Sequence, residues 1–352
     1  MTPIESFAAQ SAYCQANAAP ITAALCHALA AAIDGTTRTG AAVLAWTGNP
    51  VYDALPLRLI GGVHAAWQAG RAPSLAPVFG GRGDAHENTA LLRALLATHD
   101  DELLPWLNGP PQTNEPGRAA QLMTGLLEIA ARHGPRIEIL EIGSSAGLNL
   151  MLGRFRIELA GVTTGPLDAP VKLTPDWRGP PPPAVPIDIV STRGVDIAPV
   201  DAVSAAGAAR LLAYVWAEHH ARFTRLQAAL TMLRADPPRL DAGDAVDWLE
   251  ARLAEPQAPG VIRVLMHSIV WQYLGPERQA RITAAMAAAG ACATDQRPLG
   301  WVRVEANRTV HKHEITVRSW PSYTQSMLLG RAHPHGFWVE RLKQPVVGYE
   351  IP

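Results

Sequence analysis

Cysteine, lysine, aromatic residues and long apolar runs are all scarce in this sequence. The three cysteines, Cys14, Cys26 and Cys292, are scattered with no Cys-x-x-Cys pair. That spacing excludes a disulfide framework and a thiolate metal site. Only Lys172, Lys312 and Lys343 are lysines, so 27 of the 30 basic residues are arginine. Together with abundant Ala and Pro, this reads as GC-rich codon usage and says little about function. Aromatic residues make up 6 % and form no basic stripe on which bases could stack. The formal charge is -1, from 30 basic and 31 acidic side chains. No global positive field is available for nucleic acid or an anionic membrane. No apolar run reaches the roughly 18 residues of a membrane span. The first residues, Met1 to Ser6, carry an acid where a signal peptide carries bases. A cytoplasmic protein without a nucleic-acid or membrane partner is expected.

Core material is plentiful. Of 352 residues 48 % are hydrophobic and 17 % charged. At about 150 residues per domain, that is one large domain or two modest ones. Residues 1–111 read as a helical region. The windows 8–33, 57–68, 87–98 and 118–132 repeat apolar residues at three and four and are rich in Ala and Leu. From residue 136 the texture changes. Strands are expected at 136–142, 186–195, 239–243 and 261–267, with helices at 203–233, 245–253 and 276–289. Further strands are expected at 301–307, 314–320, 326–332 and 337–342. Strands alternating with helices argue for a doubly wound, mostly parallel α/β sheet over residues 112–352, with the antiparallel tail as one edge. The Gly/Pro-rich stretch within about 155–186 reads as an insertion, because sheet strands flank it.

The sharpest local signal is Glu141-Ile142-Gly143-Ser144-Ser145-Ala146-Gly147-Leu148-Asn149. A strand ends, glycines turn the chain and a helix is expected to begin. Backbone N–H groups would then face a ligand at the strand's C-terminal edge. The spacing is acid-x-Gly-x-x-x-Gly, not the Gly-x-Gly-x-x-Gly of pyrophosphate sites. This argues against a nicotinamide-dinucleotide oxidoreductase. Ser144 and Ser145 are read as forming no Gly-x-Ser-x-Gly, so a hydrolase's nucleophile elbow is not expected. An ordinary tight turn is the bland alternative. Asp196, after the second strand, could accept both hydroxyls of a ribose. Asp244, in Gly243-Asp244-Ala245 after the third, could take the exocyclic amine of an adenine. His267, ending the fourth strand, stands where a reacting group would project.

This succession resembles the class I S-adenosylmethionine-dependent methyltransferases, whose fold is Rossmann-like. The resemblance implies that Glu141, Gly143, Ser145, Ala146, Gly147 and Asn149 hold the methionine end of S-adenosylmethionine. It also implies Asp196 at the ribose and Gly243, Asp244 and Ala245 along the adenine. The chain departs from the pattern in three ways. The interval from Gly147 to Asp196 is about twice the family's usual one. His267-Ser268-Ile269-Val270-Trp271 replaces the Asn/Asp-Pro-Pro-Tyr of amino methyltransferases, which disfavours methylation of an exocyclic amine. The helix usual between the fifth and sixth strands has no room. At a finer level, Gln112-Thr113-Asn114-Glu115, 145–150, Arg193-Gly194-Val195-Asp196 and His333-Pro334-His335-Gly336 are similar to an uncharacterised bacterial family of unknown function. That likeness implies no activity.

Four further groups each have two readings. Thr113 or Asn114 could simply cap the following helix. Otherwise Gln112, Asn114 and Arg118 line the cofactor mouth, Arg118 pairing with the methionine carboxylate, and Glu115 reaches the substrate. His333 and His335 are either exposed in a hairpin turn or, like His267, candidate bases. Trp271 and Tyr273 are either core or walls of the substrate pocket. His311 and His313 read as a solvated turn, and His219-His220 as the surface of a helix. The two His-x-His pairs raise a metal site, but a catalytic metal needs about three convergent ligands, and none is expected. The expected function is methyl transfer from S-adenosylmethionine to a small molecule, at oxygen or carbon, with the helical region as a lid. The alternative is a non-catalytic nucleoside-binding module. Neither the methyl acceptor nor the oligomeric state follows from these residues.

Overall fold

The computed structural model describes residues 1–310 and 312–350. The chain opens with helices α1 (Pro3–Ala16), α2 (Pro20–Ala32), α3 (Arg38–Leu44), α4 (Leu55–Gln68), α5 (Ala76–Phe79), α6 (Ala85–Thr98), α7 (Asp100–Leu103) and α8 (Arg118–His133). Strand β1 (Arg136–Ile142) follows, then short strands β2 (Arg156–Leu159), β3 (Val162–Thr164), β4 (Lys172–Leu173) and β5 (Asp176–Arg178). Next come β6 (Asp188–Asp196), α9 (Ala205–Ala213), α10 (His220–Ala235), β7 (Leu240–Ala242), α11 (Ala245–Ala254), β8 (Ile262–Ser268) and α12 (Trp271–Ala291). The last strands are β9 (Leu299–Asn307), β10 (Lys312–Trp320), β11 (Met327–Ala332) and β12 (Trp338–Val347). Two compact units emerge. A helical unit comprises 1–113 and 204–224; a sheet unit comprises 114–203 and everything described from 225.

In the helical unit, α1 starts with a capping box. Glu5 N–H donates to Thr2 Oγ1 at 3.2 Å, and Thr2 N–H to the Glu5 carboxylate at 2.7 Å. The expected single helix at 8–33 is broken. Ala18 is left-handed (φ 55°), and Pro20, with no N–H to donate, opens a second helix instead of continuing the first. Glu218, far along the chain, caps that second helix. Thr22 N–H and Oγ1–H donate to its two carboxylate oxygens at 2.7 and 2.8 Å. The expected helix at 203–233 is broken for a related reason. α9 ends where Tyr214 packs on α4 at Gly61, and the chain restarts as α10 only after Glu218 has reached α2. His219 therefore lies between helices, stacked on Trp216 and bonded to Arg222, while only His220 is on the helix surface.

In the sheet unit the strand order is β5-β12-β11-β10-β9-β8-β1-β6-β7. β7, β6, β1, β8 and β9 run parallel, and β9 to β12 are antiparallel. The outermost strand beyond the tail is β5, parallel to β12, so segment 155–186 supplies an edge strand as well as a small sheet in the order β3-β2-β4. β8 is buried at all seven positions, as a central parallel strand must be. Side chains alternate between faces. Leu140, Ile142, Leu265 and Trp301 pack with Val246, Leu249, Ile282 and Met286 of α11 and α12. Gly300, Val302 and Val317 meet α8, where Gly125 leaves no room for a side chain: a Cβ would stand 2.5 Å from Val302 Cγ1. Among the described residues no helix is long and apolar enough to cross a membrane.

Candidate functional site

The strand order turns around β1: the chain steps one way to β6 and β7, then the other way to β8 and β9. Ligands of open α/β sheets bind where the order reverses, at the strands' C-terminal ends. A cleft of about 260 Å³ opens there, lined by Gly143, Asp196, Gly243, Asp244, Ala245 and Tyr273 among others. Residues from four strand ends, far apart in sequence, are thus brought to one place.

The backbone at this edge is bent sharply. Gly143 and Gly147 have φ of 66° and 79°. A Cβ on Gly143 would stand 2.3 Å from Val270 Cγ2, and one on Gly147 would stand 2.7 Å from Pro238 Cγ. Ser145 (φ 55°) and Ile269 (φ 55°) are left-handed without being glycine. A β-branched residue there is strained by about 1–3 kcal/mol, and such strain gathers at functional sites.

The loop's amides differ from expectation. Ser145 N–H donates to Asp196 Oδ2 at 2.8 Å, Leu148 N–H to Asn114 Oδ1 at 2.8 Å and Gly147 N–H to the Ser144 carbonyl at 2.7 Å. The chain then enters a 3₁₀ turn (Leu148–Arg154) in place of the expected α-helix. These amides serve the loop itself, and the α-helix N-termini at this edge are those of α11 and α12, after β7 and β8, not one after β1. Asn114 is thus a brace for the loop, not a lining of a mouth. Ala146 and Asn149 are buried beneath it. Spelled out, 143–147 also fits Gly-x-Ser-x-Gly, with Ser145 as the elbow residue. This corrects the expectation that Ser144 and Ser145 form no such motif.

Asp196 accepts two backbone amides, Ser145 at Oδ2 and Ala198 at Oδ1 (2.9 Å). Each oxygen has a second lone pair, and Asp196 lines the cleft. Asp244 is more occupied than expected. It caps α11 through Val246 N–H (2.8 Å) and accepts from Arg278 Nε at 2.8 Å. Partial burial works against its charge, yet Arg278 and the capped amides hold its carboxyl below the ordinary range. Gly243 has open space where a side chain would be. Tyr273 stands at the rim, 74 % exposed, whereas Trp271 packs against the core beside His267. Trp271 is therefore not a pocket wall.

Glu141 lies fully buried under the loop. Burial pushes its carboxyl up to about 8, against the opposing pull of the nearby Ser144 and Asn149 side chains. Ser144 Oγ–H donates to the Glu141 backbone carbonyl at 3.0 Å, and among the described residues Glu141 Oε2 and Asn149 Oδ1 are buried acceptors without a hydrogen-bond donor.

His267 does not project. It is completely buried, its Nδ1 2.6 Å from Glu305 Oε1, and its Nε2 accepts from Trp301 Nε1 at 3.0 Å. Indole N–H is donor only, so the proton sits on Nδ1 and donates to the carboxylate. Both ring nitrogens are spent. Glu305 also takes the amides of Val270 and Trp271 at 3.3 Å. The sequence reading missed Glu305. The signal was there: Arg303, Glu305 and Asn307 alternate along an otherwise apolar strand, and buried polar groups in strands have partners.

The turn 333–336 sits at the same edge of the sheet, next to the start of α8. Arg118 Nε donates to the Pro334 carbonyl at 3.0 Å, and Gln121 to that of His333. Gly117 and Gly336 touch backbone to backbone; a Cβ on Gly336 would be 2.4 Å from the Gly117 oxygen. Glu115 is buried against Arg225 (2.8 Å) and the Gly117 amide, so it is a strut rather than a substrate contact. The imidazoles of His333 and His335 are half-buried, not exposed, and their rings lie 5.6 Å apart. His335 N–H donates to His333 Nδ1. His313 is on β10, not in a solvated turn. Burial, with the charges of Arg118 and His333, pulls it down to about 4. His311 lies outside the described residues. Gln112, half-buried, ends the helical unit's N-terminal segment. Among the described residues no group of three His, Cys, Asp or Glu side chains could hold a metal.

A protein-family comparison matches residues 4–341 to the family described as "Uncharacterized protein conserved in bacteria (DUF2332)". No curated protein matches the chain.

Proposed function

The chain belongs to this bacterial family, whose description assigns no activity, and from the site we propose that it is an S-adenosylmethionine-dependent methyltransferase of a small molecule, acting at oxygen or carbon. The observation that carries the proposal is the cleft at the reversal point of five parallel strands. It is lined in order by Gly143, which opens the glycine loop after β1, by Asp196 at the end of β6 and by Gly243-Asp244-Ala245 after β7. The order β7-β6-β1-β8-β9 corresponds to the 3-2-1-4-5 arrangement of doubly wound nucleotide binders.

The residues fit the cofactor. Asp196 has lone pairs for the ribose hydroxyls, and the empty space at Gly243 suits a flat adenine. Glu141 and Asn149 keep buried acceptors that an ammonium would satisfy. Arg118, at the start of α8, is the proposed partner of the methionine carboxylate. The cofactor's sulfonium supplies an activated methyl group, so the protein's work is alignment and, for a hydroxyl acceptor, proton removal. His333 and His335 are the proposed proton acceptors. His267 is not, since both its nitrogens are bonded within the fold.

Calorimetric titration with S-adenosylmethionine and S-adenosylhomocysteine, with NAD as control, tests the reading. Micromolar binding of the first two alone is expected. A Cβ on Gly243 meets nothing within 4 Å, so Gly243→Leu should abolish binding by filling the cleft, with circular dichroism and melting like the parent's showing that the fold is intact. Asp196→Asn should weaken binding by about 1–3 kcal/mol. Binding of NAD alone, or unchanged affinity in Gly243→Leu, would overturn the assignment. Binding without turnover over a broad acceptor panel would favour the non-catalytic module.

A second reading rests on Gly-x-Ser-x-Gly at a strand end with Ser145 left-handed: an acyl-transfer nucleophile at Ser145. An elbow needs an imidazole within reach of the serine oxygen, and His267 is not available for that. Covalent labelling of Ser145 by a fluorophosphonate, lost in Ser145→Ala, would favour it over methyl transfer.

A further inference from the structure

The helical unit holds positive charge that its own carboxylates do not cancel. Arg58, on α4, is buried. Its Nε donates to the Asp53 carbonyl oxygen at 2.6 Å and its Nη1 to the Leu107 carbonyl oxygen at 2.9 Å. Both acceptors are neutral; the Asp53 carboxylate accepts from Trp46 Nε1 at 2.8 Å and makes no ion pair with Arg58, whose guanidinium lies 5.1 Å from the centre of the same indole. Arg210, on α9, lies 5.2 Å from the Trp106 ring centre and 5.9 Å from that of Tyr214. Among the described residues neither arginine has a carboxylate partner.

Tyr214 completes the cluster. Its ring stands edge-on to Trp106 at 5.7 Å and leans on α4, where Gly61 makes room: a Cβ there would be 2.6 Å from Tyr214 Cε1. The residue is 8 % exposed, and its buried hydroxyl has no hydrogen-bond partner among the described residues. A buried hydroxyl left unpaired costs about 1–3 kcal/mol. Burial pushes the phenol above its ordinary range, while the charges of Arg210 and Arg58 act against that shift. Arg58 lies one turn before Gly61 on α4, against which the Tyr214 ring packs, and its acceptor Leu107 follows Trp106, so Arg58 and Arg210 flank one Trp106–Tyr214 pair.

One orphaned donor and two uncancelled cations share a ligand preference. An oxyanion accepts from the phenol and takes guanidinium forks in plane. We propose that Arg58, Arg210 and Tyr214 form a binding site for the oxyanion of a small molecule, a carboxylate or a phosphate group. Trp106, under Arg210, holds that guanidinium in place by its ring face. The site is independent of the methyl-transfer reading, since none of its residues belongs to the cleft of the sheet unit.

The full chain is titrated calorimetrically with inorganic phosphate and, separately, with malonate, in a zwitterionic low-salt buffer with chloride as control. Saturable binding of one or both at millimolar concentration is expected; whichever binds tighter identifies the group. Tyr214→Phe and Arg210→Gln should each weaken it about five-fold or more. Tyr214→Phe should melt at or above the parent, because its hydroxyl has no protein hydrogen bond to lose, whereas Arg210→Gln gives up only its contacts with the Trp106 and Tyr214 rings. Chloride-like heats from both anions would overturn the proposal. So would unchanged affinity in both variants, or melting of Tyr214→Phe well below the parent, which would show the hydroxyl to be structurally bonded.

Discussion

Glu141 is ionised in the unfolded chain above about 4.5 but holds its proton in the fold up to about 8. Between those values the native state binds more protons than the unfolded state, so stability falls as pH rises. Below that window the group contributes no pH dependence, and above it the full penalty is present. Glu141→Gln keeps the shape and removes the titration. It should flatten the decline and stabilise the protein by roughly 2–4 kcal/mol at about pH 8.5, with little change at about pH 4. Urea denaturation at several pH values reads this directly, and parallel slopes for both proteins would refute it. Asp244 shows the opposite arrangement at the same cleft: its carboxyl lies below the ordinary range because Arg278 and two capped amides favour the charge.

At the scale of elements, the end of β8 depends on β9. One carboxylate, Glu305, receives the His267 imidazole and the two amides that open α12. Glu305→Ala strands several buried donors at once. A loss of about 2–4 kcal/mol is expected in urea unfolding. If Glu305→Gln recovers most of it, hydrogen bonding rather than charge holds the turn; a loss under about 0.5 kcal/mol would show that water replaces the carboxylate. The turn 333–336 is held in the same non-local way, by Arg118 and Gln121 from the first turns of α8. Two histidines that look like hairpin decoration are thereby fixed and half-buried.

At the scale of the whole molecule, the chain leaves the helical unit at 113 and returns to it for 204–224. The returning segment carries Glu218, which caps α2, and Tyr214, which fills the space at Gly61. A fragment of residues 1–113 should therefore melt at lower temperature and less cooperatively than the same fragment joined to 204–224 by a flexible linker. Equal melting of the two in circular dichroism would deny the returning segment a structural role.

Much of this order is legible in the sequence. Period-two and period-three-to-four patterning marks β1, β8 and α8 almost to the residue, because it records which face of each element is buried. Glycine spacing marks the loop after β1, because Gly143 and Gly147 adopt backbone angles and close approaches that a side chain forbids. Asp196, Gly243 and Ala245 fall at one cleft because they end parallel neighbouring strands. Tertiary structure alone decided the rest. Whether His267 could act as a base depended on Glu305, 38 residues away, and on Trp301. Whether 203–233 could be one helix depended on the pull of Thr22 and Gly61 on Glu218 and Tyr214. Local patterning states that a group is buried; only the partners it meets decide whether its hydrogen bonds and charge are already satisfied or remain for a ligand.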